Sequence, residues 1–317
     1  MLPDKSAAIE ILHDFSDVLR GRDIDFVIDG GTALGAYRQA DFCDGDHRDL
    51  DFTTLAHSSQ MDGVAVDAVR AGFILHTYIP ASDHKTAQLS FLRYGIRVDL
   101  EWKKIHRGNA WWTVENIYKA VPAVYYLRFA KRDHASIGGQ CWPIPNFIED
   151  YLAARYGNWQ VPVPHSQYSC YISDLCIVPN GLNTLMQMRN IPFKTGLAFG
   201  AFDVLHAGHL NLIRNASHLC DTLIIGLSTD ERIIERKGHQ PLLSWKDRAR
   251  IVAAVPGVKK IVKQDKFKLA VIDYVKPDVI FVGSDWTPET FEGERHGTPV
   301  VYLPHTQNIS TSLIVNE

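Results

Sequence analysis

The stretch Gly196-Leu197-Ala198-Phe199-Gly200-Ala201-Phe202-Asp203-Val204-Leu205-His206-Ala207-Gly208-His209 decides the fold of the second half of this chain. The apolar run 196–199 reads as a strand. It ends in a Gly-rich turn and leads into a helix beginning near Leu205, a strand–turn–helix arrangement suited to handling phosphate. Gly200 has no side chain to obstruct an anion approaching the backbone. The helix start offers unpaired N–H groups and the positive end of its dipole. His206 and His209, three residues apart, read as neighbours on the first turn, with Gly208 keeping the space between them open.

Working outward, the pattern after residue 194 alternates strand and helix. Apolar strands are expected at 196–199, 222–227, 259–261, 279–282 and 299–302, which argues a parallel, doubly wound sheet. Ligands in such sheets bind beyond the carboxyl ends of the strands. Polar segments fall there: Ser228-Thr229-Asp230-Glu231, Trp245-Lys246-Asp247-Arg248, Gly283-Ser284-Asp285-Trp286 and 305–312.

The first half reads differently. Apolar residues at Ile9, Ile11, Leu12, Phe15, Val18 and Leu19 predict an amphipathic helix over 5–20. A strand over 25–29 ends at Gly30-Gly31, followed by a helix over 32–38 and a strand over 50–53. Residues 88–93 and 96–102 predict a hairpin turning at Tyr94-Gly95. Helical and loop segments are expected from there to about 156. Breakers such as Pro162, Pro164 and Pro179-Asn180-Gly181 place the junction near 160–193. The expected division is a domain at 1–165, a linker at 166–193 and a domain at 194–317. The fold class is α/β: an α+β nucleotidyltransferase-like domain followed by a Rossmann-like parallel-sheet domain.

Composition bounds the function. Of 317 residues, 46% are hydrophobic and 22% charged, as in globular proteins, and the formal charge of −3 gives no reason to expect a nucleic-acid partner. Five cysteines (43, 141, 170, 176 and 220) form no CxxC pair, which argues against a disulfide framework or zinc site and for a reducing compartment. With no leader-like start and no apolar run of about 18 residues, the expected setting is cytoplasmic, without a membrane span.

The first half also carries Gly30-Gly31-Thr32, Asp49-Leu50-Asp51 and, in the hairpin, Asp99. Carboxylates at i and i+2 of a strand point to one side. Asp49, Asp51 and Asp99 would repel one another unless a divalent cation joined them, so they are candidate Mg²⁺ ligands. Glu101 shares the face of Asp99. The aromatic group Trp102, Trp111, Trp112, Tyr118, Tyr125 and Tyr126 reads as core before it reads as a sugar platform.

Two resemblances follow from these motifs. GAFDVLHAGH, STDE, SWKDR, GSDW and YLPHTQNISTS together resemble the glycerol-3-phosphate cytidylyltransferase branch of the HxGH nucleotidylyltransferases over about 194–314. The resemblance implies CTP and a phospho-alcohol such as glycerol 3-phosphate as substrates, with a CDP-alcohol and pyrophosphate as products. It sets His206 and His209 at the α-phosphorus and departing pyrophosphate, and Gly200, Phe202 and Asp203 at the Gly-rich turn. Arg248, Ser310 and Thr311 are set on the triphosphate, Asp285 and Trp286 in the nucleotide pocket, and a homodimer is implied. The family's closing Arg-Thr-Glu-Gly-Ile-Ser-Thr is here 305–311, without the arginine and the glutamate. Lys237 is the mobile cation expected to compensate.

The segments GGTALGAYR, Asp49-Leu50-Asp51 and YLAARYGNW resemble the LicD-like (fukutin-type) phosphotransferases over about 8–165. Members move a phospho-alcohol from its CDP carrier to a glycan hydroxyl. By that likeness Gly30 and Gly31 cradle phosphate and Arg38 meets the donor's diphosphate. Asp49, Asp51 and Asp99 hold metal, and Asp99 accepts the proton of the attacking hydroxyl. Asp46 is a lower-ranked ligand. The joint expectation is a bifunctional enzyme of surface-glycan assembly that makes a CDP-alcohol and spends it on a glycan acceptor. The alternatives are a cytidylyltransferase joined to a small-molecule nucleotidyltransferase, or to a non-catalytic module that binds a glycan or partner.

Overall fold

The computed structural model describes residues 4–114, 117–163, 176–177, 187, 189–265, 267–304, 306, 309, 311 and 314. The chain forms two compact units. One comprises Met1–Ile105, Asn109–Tyr126 and Lys131–Met188, the other His106–Gly108, Leu127–Ala130 and Arg189–Glu317. Among the described residues no helix is long and apolar enough to cross a membrane.

The first unit opens with α1 (Lys5–Arg20), capped by the Asp4 carboxylate on the Ala7 N–H. Its buried stripe of Ile11, Leu12, Phe15 and Leu19 is the spacing expected of an amphipathic helix. Phe15 meets Phe52, Phe73 and Phe91 at ring centroids of 5.0, 5.4 and 5.4 Å. A five-stranded sheet runs β1 (Val27–Ile28), β2 (Asp49–Thr54), β5 (Ile96–Trp102), β4 (Gln88–Arg93), β3 (Ile74–Ile79). α2 (Gly30–Gln39) leaves the end of β1, and α3 (Met61–Arg70) precedes β3. The parallel pairing of β2 with β5 sets Asp51 opposite Asp99. Antiparallel β4 and β5 form the expected hairpin.

The described residues between 104 and 143 are mostly strands joined by turns and one short 3-10 helix, where helices and loops are expected from the sequence. β6 (Lys104–His106), β7 (Asn109–Val114) and β8 (Ile117–Pro122) join a four-stranded sheet, and β10 (His134–Ile137) pairs with β11 (Gln140–Pro143). The Trp and Tyr residues of this stretch are the reason: aromatic side chains suit a pleated, half-buried surface. Trp102, Trp111, Trp112, Tyr125 and Tyr126 are all buried. One helix follows, α4 (Ile148–Tyr156). The expected linker is also not structureless throughout, since β12 (Cys176–Ile177) pairs with β8.

Beneath β1 lies a buried charge network. Asp29, which caps α2, accepts hydrogen bonds from the Lys103 ammonium at 2.8 Å, the Thr53 hydroxyl at 2.7 Å and the Arg155 guanidinium at 3.2 Å. The Tyr126 and Tyr151 hydroxyls donate to it as well. Burial alone would raise its pKa. The charges of Lys103 and Arg155 and these hydrogen bonds override that, holding the carboxyl well below the usual carboxylate range.

The second unit is a six-stranded sheet in the order β15 (Val258–Gln264), β14 (Cys220–Ser228), β13 (Phe193–Gly200), β16 (Val279–Gly283), β17 (Val300–Leu303), β9 (Arg128–Phe129). Its five longer strands are parallel, as expected, and β9 adds an antiparallel edge. The helices are α5 (Ala207–Ser217), α6 (Asp230–Lys237), α7 (Trp245–Ala253) and α8 (Lys268–Val275). Leu197, Ile272, Ile280, Val282, Val300 and Tyr302 build the core around the central strands. All four helices lie between parallel strands, so β13, β14, β15 and β16 deliver their carboxyl ends to the same edge.

Replacing Lys103 with Met removes a main countercharge of a fully buried carboxylate. The expected cost is about 3 kcal/mol in urea unfolding, the low end of the range for breaking a buried ion pair. A loss below about 1 kcal/mol, the scale of a surface pair, would contradict the role given to this network.

Candidate functional site

The cleft of the second unit begins at the end of β13. Phe202 holds a left-handed backbone at φ +46° and buries its ring 4.9 Å from that of His209. A Cβ on Gly200 would lie 2.5 Å from the Phe202 ring. Gly200 therefore makes room for the Phe202 ring where it lines the cleft. His206 caps α5 in extended conformation, and the helix starts at Ala207, two residues later than expected. The His206 and His209 rings stack with centroids 3.8 Å apart. Gly208 keeps them free, because a Cβ there would stand 3.0 Å from the His206 ring.

Burial lowers the pKa of His206, and burial followed by the neighbouring His206 lowers that of His209 to about 4. Both rings are neutral near pH 7. A backbone hydrogen bond with Val204 also acts on the His209 ring, and among the described residues the buried Nδ1 of His206 has no hydrogen-bond partner.

Gly200, Phe202, His206, His209, Lys237, Asp285, Trp286 and Thr311 line one cleft of about 540 Å³. Gly283 permits the close approach of Asp285, whose Oδ1 lies 2.3 Å from where a Cβ would stand. Ser310 falls outside the described residues.

Asp203 and Arg248 are corrections, because neither lines the cleft. Asp203 is buried and accepts from the N–H groups of Leu242 and Leu243 at 3.0 and 3.1 Å. Arg248 is fully buried, its guanidinium donating to the carbonyls of Ala201 and Leu243 and to Asp230. A guanidinium with its donors committed to protein oxygens shapes the site instead of holding a triphosphate.

The cleft takes in Ser228 from the expected STDE segment, and residues that the sequence reading missed: Arg232, Arg236, Gln264 and Lys268. Arg232 and Arg236 are spaced i, i+4 along α6, a helical signal visible in the sequence. Lys268 gave no such signal, because its burial depends on rings distant in sequence.

In the first unit Asp49, Asp51 and Asp99 come together, each offering an oxygen within 4.8 Å of the others. The Ser90 hydroxyl and the Arg97 guanidinium both donate to Oδ1 of Asp99. Burial, and then the charge of Asp49, push the Asp51 carboxyl well above its ordinary range. A carboxylate that resists ionisation beside two other carboxylates is the donor set a divalent cation relieves.

Gly30, at φ +55°, and Gly31 are needed beside these acids. A Cβ on Gly30 would meet Asp51 Oδ2 at 2.1 Å, and one on Gly31 would meet Asp46 Oδ2 at 2.4 Å. They make room for carboxylates, where the sequence suggests a phosphate cradle. Asp46 stands beside Gly31 and is not one of the three converging acids. Arg38 donates to the Trp159 carbonyl at 3.1 Å, to Gln39 at 3.3 Å and to Cys43 Sγ at 3.2 Å.

Residues 197–317 match the cytidylyltransferase-like family model. Glycerol-3-phosphate cytidylyltransferase of Bacillus spizizenii is 33% identical over 125 residues, covering 38% of this chain and 94% of that protein. Through its second unit, the chain belongs to the cytidylyltransferase-like family. The bifunctional protein HldE of Syntrophotalea carbinolica is 37% identical over 122 residues, 37% of this chain and 25% of that protein. The chain thus spans about a quarter of the length of that relative. A solved structure of the antibiotic-resistance factor ANT(2'')-Ia covers 52% of this chain and 78% of its own, at 16% identity and a TM-score of 0.34, which carries no argument.

The depressed His209 pKa fixes the sign of a pH effect. With a folded value of about 4 against 6.5 for the free side chain, the unfolded chain binds more protons between those pH values. This contribution is fully present above pH 6.5 and lost as pH falls toward 4. His218, also held near 4 by burial, adds in the same direction. Melting temperatures of wild type and His209→Gln should therefore diverge least at pH 5 and most above 6.5, once the constant cost of the substitution is subtracted. Parallel profiles would contradict the buried neutral imidazole.

Proposed function

We propose that the second unit joins CTP to a phosphorylated small alcohol, and that the first unit transfers the phospho-alcohol from the resulting CDP carrier to a glycan hydroxyl, breaking the phosphoanhydride bond and releasing CMP. The observation that carries the reading is the His206–His209 stack at the start of α5, inside a cleft shared with Lys237, Asp285, Trp286 and Thr311.

A phosphate oxygen of the alcohol substrate attacks the α-phosphorus of CTP. The bond from that phosphorus to the bridging oxygen breaks, and pyrophosphate leaves with the electron pair. The nucleophile is already ionised at neutral pH, so no strong base is required. Catalysis reduces to alignment and charge stabilisation. Neutral imidazoles donate through N–H to the oxygens that gain charge, and α5 adds its N-terminal dipole. Glycerol 3-phosphate is the first substrate to test, since the Bacillus relative is named for it.

In the first unit Asp49, Asp51 and Asp99 would hold Mg²⁺. The metal would neutralise diphosphate charge and position the donor. A glycan hydroxyl, unlike a phosphate, must lose its proton on attack, and Asp99 is the carboxylate assigned to accept it. The three converging carboxylates support this half of the reading, as do the glycines that make room for Asp46 and Asp51.

The two sites are separable by substitution. His206→Ala and His209→Ala should each lower pyrophosphate release from CTP and glycerol 3-phosphate by about 10²–10³-fold, the scale for removing a donor to developing charge. Asp51→Asn should leave that release intact and abolish transfer from CDP-glycerol to glycan. Loss of both activities in folded Asp51→Asn would contradict the division of labour.

A further inference from the structure

Arg155, in the last turn of α4, is held at one end only. Its Nη1 donates to Asp29 Oδ1 at 3.2 Å and to the Tyr151 hydroxyl at 2.5 Å, which fixes that end in the buried charge network. The Nε is buried without a hydrogen-bond partner, and among the described residues Nη2 donates to nothing. One whole edge of the planar guanidinium, Nε and Nη2, is thus left without an acceptor. A buried donor in that state costs about 1–3 kcal/mol unless something outside the chain completes it.

This edge lies beside the acids. Nη2 is 3.4 Å from where a Cβ on Gly30 would stand, and that Cβ would also overlap Asp51 Oδ2. Guanidinium and carboxylate therefore flank one small gap that only a glycine at 30 keeps clear. The charge of Arg155 is felt at Asp51, yet among the described residues the ion pair that Arg155 closes is with Asp29. Asp51 converges instead with Asp49 and Asp99. α2 begins at the same gap and adds the positive end of its dipole. The Arg155 side chain keeps 16% of its surface exposed, so the edge is within reach of a ligand.

We infer that Arg155 receives a phosphoryl oxygen of a nucleoside-diphosphate-linked donor bound beside the three acids. The inference deepens the transfer proposed for the first unit and rests on it. A metal on Asp49, Asp51 and Asp99 would bring phosphoryl oxygens next to this gap, where a guanidinium edge offers parallel N–H donors. Asp29 and Tyr151 hold the opposite end, so the fork is ordered before the donor arrives.

The test is calorimetric titration of the full chain with CDP-glycerol and Mg²⁺, beside Mn²⁺ titration followed by electron paramagnetic resonance. It compares wild type, Arg155→Lys, Tyr151→Phe and Asp51→Asn. CDP-glycerol is the product proposed for the second unit as well, so two binding steps are expected. The step lost in Asp51→Asn belongs to the first unit, and the other is a control for folding. Lysine keeps a charge opposite Asp29 but has no second edge. Tyr151→Phe keeps the ring and removes one anchor of Nη1, so it decides the question should Arg155→Lys fail to fold. The first-unit step should weaken about tenfold in Arg155→Lys and about threefold in Tyr151→Phe, with Mn²⁺ affinity and the other step within about twofold.

An unchanged first-unit step in folded Arg155→Lys, or in Tyr151→Phe if the lysine variant does not fold, would overturn the inference and leave the first-unit reading standing. Weakened Mn²⁺ binding with CDP-glycerol affinity kept would make Arg155 a support for Asp51, and would overturn it too. Should no wild-type step be lost in Asp51→Asn, the reading of the first unit fails, and the Arg155 contact with it.

Discussion

The cleft of the second unit depends on one buried guanidinium. Arg248 reaches from α7 to the Ala201 carbonyl in the turn after β13, to the Leu243 carbonyl before α7, and to Asp230 at the start of α6. Asp203 closes the same ring of contacts by accepting from the backbone of Leu242 and Leu243. The turn that presents Phe202, His206 and His209 is thereby tied to the segment that precedes α7. The start of α6, whose far end carries Arg236 and Lys237, is tied to both. The turn after β13, the start of α6 after β14 and the loop before α7 are thus held together by hydrogen bonds within the protein. Substrate-contacting side chains can then be preorganised without contacting one another.

Each unit also concentrates charge of one sign. The first brings Asp49, Asp51 and Asp99 together on adjacent strands. The second gathers Arg236, Lys237 and Lys268 around a cleft that also holds the two neutral imidazoles. Folding tolerates this because partners are fixed behind the clusters. Lys103 and Arg155 balance Asp29 behind the acids, and Asp230 balances Arg248 behind the bases. The two proposed reactions would bring ligands of opposite charge to these clusters, a cation in one unit and phosphoryl groups in the other.

Much of this was legible in the sequence where local pattern sets structure. The βαβ alternation after residue 194 gave the five parallel strands, and Tyr94-Gly95 marked the hairpin that carries Asp99. The i, i+2 spacing of Asp49 and Asp51 put both on the face that meets Asp99. Non-local packing was not legible. Arg248 in SWKDR reads as a phosphate contact until its buried partners are seen. Gly200 reads as an anion gap, and only the structure shows the Phe202 ring packed against it. Lys268 is an ordinary helix-start lysine in sequence, and only the tertiary meeting of Phe199, Trp286 and Phe291 buries it. The strands of 104–143 were missed because their aromatic, irregular pattern lacks clean alternation.

The central claim is that the second unit makes a phosphoanhydride between CMP and a phospho-alcohol. Phosphorus NMR of the full chain with CTP, Mg²⁺ and a panel of phospho-alcohols beginning with glycerol 3-phosphate tests it most directly. The account predicts equal gains of pyrophosphate and of a new diphosphate diester, matched by loss of CTP and the phospho-alcohol. Release of CDP and inorganic phosphate, or unchanged CTP across the panel, would contradict it.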